Sequence, residues 1–161
     1  MFTFFLVVHV AISLVGIAAG FVAAYGFVTA QRLDRWQSLF LNTTIATSLT
    51  GFLLPADRIL PSHILAVLSL IVLAVAVYAR SARQMQGGWR STYVVTALVA
   101  QYFNVFVLVV QLFQKVPALK ALAPTQTEAP FAIAQLTVVV AFVLLGIASV
   151  TRFRPIAVVA R

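Results

Sequence analysis

The chain has 161 residues, 63% of them hydrophobic and 9% charged, with a mean hydropathy of +1.07. A soluble domain of this size needs far more polar surface to cover its core, so the composition excludes one and places the chain in lipid. The formal charge of +8 forms no basic stripe or aromatic platform, which argues against nucleic acid. It alternates with apolar stretches, as orientation signals and contacts with anionic headgroups do.

Five apolar stretches, at about 3–30, 37–54, 62–79, 92–114 and 131–151, contain no charged residue. Each is near the ~20 residues that a helix needs to cross the hydrocarbon core. They predict an all-α integral membrane protein, a bundle of five transmembrane helices forming one domain over 1–161. The first stretch lacks the positive n-region of a signal peptide and is about twice as long as the usual 7–15-residue apolar run. It is expected to be retained as a span. On it His9, Ser13, Gly16 and Gly20 share a face, and Gly16-x-x-x-Gly20 has the form of a helix-packing motif.

The second stretch is short and rich in threonine. Thr43, Thr47 and Thr50 lie on one face, with Thr44, Ser48 and Gly51 beside it, and their hydroxyls can bond carbonyls one turn back. A re-entrant segment is the alternative here, and charge argues against it. With five crossings Arg32, Arg35, Arg80, Arg83, Arg90, Arg152, Arg154 and Arg161 fall on one side, and Arg58, Lys115 and Lys120 on the other. With four crossings the bias vanishes. The richer side is expected to be cytoplasmic, which puts the N-terminus outside and the C-terminus inside a bacterial-type inner membrane.

The third stretch opens after Pro61 and carries His63 near its outer end. Pro55 and Pro61 bracket the turn before it, where Asp57-Arg58 reads as a local ion pair. Gly87-Gly88 breaks the next connection, with Trp89 and Arg90 as interfacial anchors. On the fourth stretch Gln101, Asn104 and Gln111 form one stripe, near Tyr93 and Tyr102. A carboxamide cannot satisfy its donors and acceptor along its own helix, so other helices, water or a ligand must answer. The proline-rich connection 115–130 is external, either a lid over an opening in the bundle or a plain linker. On the fifth stretch Gln135 and Ser149 share a face through Gly146 and are candidate partners for the amides.

The absence of cysteine removes disulfides, thiolate metal sites, iron–sulfur clusters and cysteine catalysis. The only acids, Asp34, Asp57 and Glu128, lie in connections. This excludes intramembrane carboxylate catalysis, aspartyl or zinc proteolysis, and a buried acidic proton relay. A non-catalytic protein is expected, holding no metal and no obligatory cofactor. It would bind a small apolar or amphipathic ligand of lipid or quinone type, or serve as a membrane subunit, alone as a homo-oligomer or in a larger complex. The candidate ligand residues are His9, His63, Gln101, Asn104, Gln111 and Gln135, expected to form a polar pocket in the outer half of the bundle. Two histidines on different spans also permit axial ligation of haem b among the 13 phenylalanines. Passage of a neutral solute along the Asn/Gln/Thr seam is the third expectation.

The five-span size resembles that of the tryptophan-rich sensory/translocator proteins, although only Trp36 and Trp89 are present. The histidine pair resembles that of small membrane cytochromes b, without a four-histidine dihaem pattern. Neither resemblance covers a motif from which a residue's role transfers.

Overall fold

A computed structural model describes residues 2–53 and 61–154, the side chains of Phe2, Pro61 and Ser62 excepted. Pro55, the Asp57-Arg58 pair and Arg161 lie outside the described residues. Among those described, every regular element is a helix: α1 (Phe2–Val28), α2 (Asp34–Gly51), α3 (Pro61–Ser81), α4 (Trp89–Lys115), α5 (Pro117–Leu122) and α6 (Ala129–Arg152). The five long helices coincide with the five apolar stretches, to within about a turn at each end.

Four of them are long and apolar enough to cross a membrane: Thr3–Val28, His63–Ser81, Trp89–Lys115 and Ala129–Arg152. The second helix is the exception: it carries the exposed Asp34, Arg35 and Asn42 as well as buried polar residues. Its polar residues Gln37, Thr44 and Ser48 are buried against neighbouring helices. Lipid need not tolerate a polar group that another helix covers.

α4 is the centre of the bundle, packing on α1, α2, α3, α5 and α6. Its residues Tyr93, Val94, Ala97, Ala100 and Gln101 are almost fully buried. α1 and α2 form an antiparallel hairpin, and α2 continues onto α3. Prolines open α5 and α6 at their first turns, where a missing N–H costs nothing.

One end of the bundle is tightly tied. Arg80 donates to both the carboxylate and the carbonyl of Asp34, and Arg32 pairs with the same carboxylate. The Arg90 guanidinium donates to the Val150 carbonyl at 3.0 Å and to the Phe153 carbonyl, capping the C-terminus of α6 where the helix dipole is negative. Arg90 is thus an internal tie rather than only an interfacial anchor. Phe27 stacks edge-on against Tyr93 and Phe153, at 5.7 and 5.0 Å between ring centres. The Arg83 guanidinium lies 5.0 Å over the Trp89 ring. Gln84, Met85 and Gly87 all take left-handed backbone conformations in this connection, and they carry the buried Met85 side chain under the turn.

At the opposite end the connection between α4 and α6 is folded rather than loose. It contains α5, a helix that the sequence pattern did not reveal. Gln126, in the left-handed region at φ 61°, donates to the Val110 carbonyl at 2.9 Å. Phe113 meets Phe131 edge-on across the start of α6. The Glu128 carboxylate accepts from the Thr125 hydroxyl and from the N–H groups of Thr125 and Thr127. The segment therefore seats on the end of α4 and α6.

Candidate functional site

The α1–α2 hairpin carries a ladder of polar contacts in constant antiparallel register. At its far end His9 Nδ1 lies 2.8 Å from Thr50 Oγ1. The Thr50 hydroxyl has a single proton, and it points at the Ala46 carbonyl at 2.7 Å. A Thr50 proton given to that carbonyl leaves its oxygen to accept from the Nδ1–H tautomer of His9, in which Nε2 carries the lone pair. One turn along, the Ser13 hydroxyl donates to the His9 carbonyl and approaches Thr47 Oγ1 at 3.4 Å. A further turn along, a β-carbon on Gly16 would meet Thr43 Oγ1 at 3.0 Å, so glycine here sets the helix separation.

α4 closes the seam from the other side. Asn104 Nδ2 donates to Thr44 Oγ1 at 3.1 Å, and Gln101 Nε2 donates to the Ile17 carbonyl at 2.9 Å. The Gln101 carboxamide occupies the space beside Gly20, so a β-carbon there would have to displace it. Nearer the arginine-rich end, the Tyr93 hydroxyl donates to Gln37 Oε1 at 3.0 Å inside the core. Gln37 and Tyr93 were not singled out as a pair. The signal was available, because Gln37, Leu41, Thr44 and Ser48 repeat at helical spacing on the buried face of α2.

The six expected ligand residues thus divide among several places. Gln101 and Asn104 join α4 to the α1–α2 hairpin. Gln135 is buried on α6 and donates to the Phe106 carbonyl of α4 at 3.3 Å. Gln111 is exposed and stands apart from the seam. His63 stacks on Phe52 with ring centres 5.7 Å apart. Both histidines are therefore at the same end of α2, beside Thr50 and Phe52, while Gln101, Asn104 and Gln135 bond to other partners. Gln37, Gln101 and Gln135 each keep one buried polar atom without a partner among the described residues. Ser149 is buried too, and its hydroxyl makes no bond to those amides.

A well-formed concavity lies elsewhere. A groove of about 600 Å³ runs between α4 and α6, lined by Val95, Leu98, Val99 and Tyr102 on one side and by Val139, Phe142, Val143, Gly146, Ile147, Val150 and Thr151 on the other. Its walls are almost wholly apolar. Tyr102 packs edge-on against Phe142 at 5.8 Å. Its hydroxyl makes no hydrogen bond to the described residues and stays available as a donor. The Thr151 hydroxyl already donates to the Ile147 and Ala148 carbonyls, so its oxygen can only accept. Gly146 has open space where a β-carbon would stand, and this opening widens the groove. A second apolar groove, about 530 Å³, lies between α2 and α3 along Ile45, Leu73, Ala74 and Val77.

Among the described residues no group of three or more His, Asp or Glu side chains is gathered as a metal site would need. The fold and the groove define an all-helical bundle with several membrane-length helices and a lateral apolar slot. Compared with known protein families, curated proteins and solved structures, the chain matches none.

Proposed function

We propose that the protein is a non-catalytic, five-span membrane protein that binds an amphipathic molecule with a long apolar chain, of lipid or quinone type. The observation that carries this reading is the α4–α6 groove. Its volume and apolar walls suit a hydrocarbon or isoprenoid chain, and the Tyr102 hydroxyl offers one donor to a carbonyl or ester oxygen. The polar seam, expected to line an outer pocket, is largely consumed by bonds between helices, which favours a packing role for Gln101 and Asn104.

A crossing by α2 is supported by its register. Its 18 residues lie antiparallel to α1 from the Asp34 end to the His9–Thr50 contact, a length of roughly 27 Å at 1.5 Å per residue. With α2 crossing, Arg32, Arg80, Arg83, Arg90 and Arg152 share the end opposite Lys115 and Lys120. That distribution supports a cytoplasmic C-terminus, an external N-terminus and a bacterial-type inner membrane.

The test is solvent extraction and mass spectrometry of the purified protein after thorough detergent exchange. A lipid or quinone retained in near-stoichiometric amount supports the reading. Loss of every such molecule, from a folded protein, contradicts it.

Ligation of haem b by His9 and His63 is the second reading. Two features favour it: both imidazoles sit at one end of α2, and the Thr50 contact engages Nδ1 of His9 rather than Nε2. A Soret band in haem-supplied protein, lost in His9→Ala with His63→Ala, would support it. A colourless, folded protein under the same supply would remove it.

A further inference from the structure

On α2 the residues Arg35, Leu39, Asn42, Ala46 and Leu49 recur at alternating spacings of four and three, and Leu53 continues the pattern past the helix end. This is the heptad seam along which two helices wind together. It faces away from the bundle. Leu39 is 38% exposed, Leu49 53% and Leu53 66%, and Asn42 is exposed between them. The opposite face, with Gln37, Leu41, Thr44 and Ser48, is already buried.

Asn42 is the unusual member. It lies about 12 Å along the axis from Asp34 and about 14 Å from Gly51, at 1.5 Å per residue. Its short side chain cannot reach the headgroup region from either end. Lipid-facing threonines meet this difficulty on their own helix, as Thr137 does by donating to the Ile133 carbonyl at 2.8 Å. A carboxamide has two donors and an acceptor, and one helix cannot satisfy them. Asn42 makes no hydrogen bond to the described residues.

We propose that two copies of this chain associate through α2, seating Leu39, Asn42, Ala46 and Leu49 against the same residues of the second copy. Two chains inserted in the same orientation are related by an axis normal to the membrane, so their α2 helices run parallel and Asn42 is level with its counterpart. Each carboxamide then donates to the oxygen of the other. The amide is its own complement, so a second copy satisfies both a donor and the acceptor with no further residue. Ala46, one turn on, lets the backbones approach, and a single Asn in a heptad seam fixes register and pair number. The inference rests on α2 crossing the bilayer but not on the ligand in the α4–α6 groove.

The chain has no cysteine, so Leu39→Cys or Leu49→Cys introduces a unique thiol into the full-length protein. In native membranes, oxidation should yield a disulfide-linked dimer from both variants. Val140→Cys, on the exposed face of α6, should yield little. Adding Asn42→Leu to Leu39→Cys should weaken the pairing equilibrium by about three- to thirty-fold, the range for interhelical polar bonds in lipid. Asn42→Gln, which keeps the amide, should retain most of the dimer. Asn42 is exposed within its own bundle, so neither variant disturbs the fold. Absence of dimer at both positions, or a dimer indifferent to Asn42→Leu, would overturn the proposal. If instead Leu39→Cys reacts with a membrane-impermeant maleimide as readily as a loop cysteine, the crossing by α2 fails, and this dimer with it.

Discussion

The carboxamide of Gln101 on α4 occupies the volume that a β-carbon on Gly20 of α1 would need, and its Nε2 reaches the Ile17 carbonyl less than one turn away. Two helices approach closely here because one residue has no side chain and another is long enough to fill the gap. Gly20→Ala should therefore destabilise the bundle by about 1–3 kcal/mol, the usual cost of overpacking. Gln101→Ala added to Gly20→Ala should recover part of that loss, and the non-additivity is readable in a double-mutant cycle of thermal unfolding in detergent. Gln101→Met alone keeps the volume, gives up one interhelical bond worth roughly 0.6 kcal/mol on average and removes an unpaired buried oxygen. A shift in melting temperature of only a few degrees is expected. Equal destabilisation by Gly20→Ala in the presence and absence of Gln101 would show that the two do not share this space.

Topology can be read from two exposed positions, one on each side of the α2–α3 pair. Gln31 precedes α2 and Gln84 follows α3, and both are exposed. If α2 crosses, Gln31→Cys and Gln84→Cys lie on the same, cytoplasmic side, shielded from an impermeant maleimide in intact cells and labelled after permeabilisation. If α2 turns back, the two positions fall on opposite sides and label under different conditions.

Glu128 supplies a pH-dependent tie in the connection between α5 and α6. Desolvation pushes its carboxyl up, but hydrogen bonds from the Thr125 hydroxyl and from nearby backbone N–H groups outweigh it and hold the group below the ordinary glutamate value. A carboxyl depressed in the folded state contributes order above its unfolded pKa and loses that contribution as pH falls through the folded value. The segment 125–128 should loosen only in that acidic window. A carboxyl-carbon NMR titration should place the Glu128 midpoint below that of a free glutamate, and Thr125→Val should raise it. An unshifted midpoint in the unaltered chain would remove this tie.

Much of the fold was legible in the chain because charge is so costly in lipid. Charge exclusion alone marked the five long helices, and the glycines at 16 and 20 announced a close contact before its partner was visible. The pairing of Gln101 with Ile17 and Gly20 was not legible, since helix order and rotation follow from packing rather than from periodicity. Similar depth groups His9, His63, Gln111 and Gln135 into one pocket, and a shared stripe adds Gln101 and Asn104. Neither depth nor stripe fixes which helix answers, so His9 meets Thr50 of α2, Gln101 meets Ile17 of α1 and Gln135 meets Phe106 of α4. The α4–α6 groove escaped notice because valines at lipid-facing positions look alike whether or not a slot lies between them. Only Gly146, a gap in an otherwise bulky face, carried a hint of it.

That gap also gives the most direct test of the proposed function. A β-carbon at Gly146 meets nothing within 4 Å, so Gly146→Leu should fill the groove without disturbing the helices. Native mass spectrometry of detergent-released protein would compare the unaltered chain with Gly146→Leu, using Gln101→Met as a control in the seam. The account predicts a lipid- or quinone-sized mass on the unaltered chain and on Gln101→Met. That mass should be reduced at least several-fold on Gly146→Leu, with thermal stability unchanged. Equal retention by Gly146→Leu and the unaltered chain, or selective loss in Gln101→Met, would contradict it.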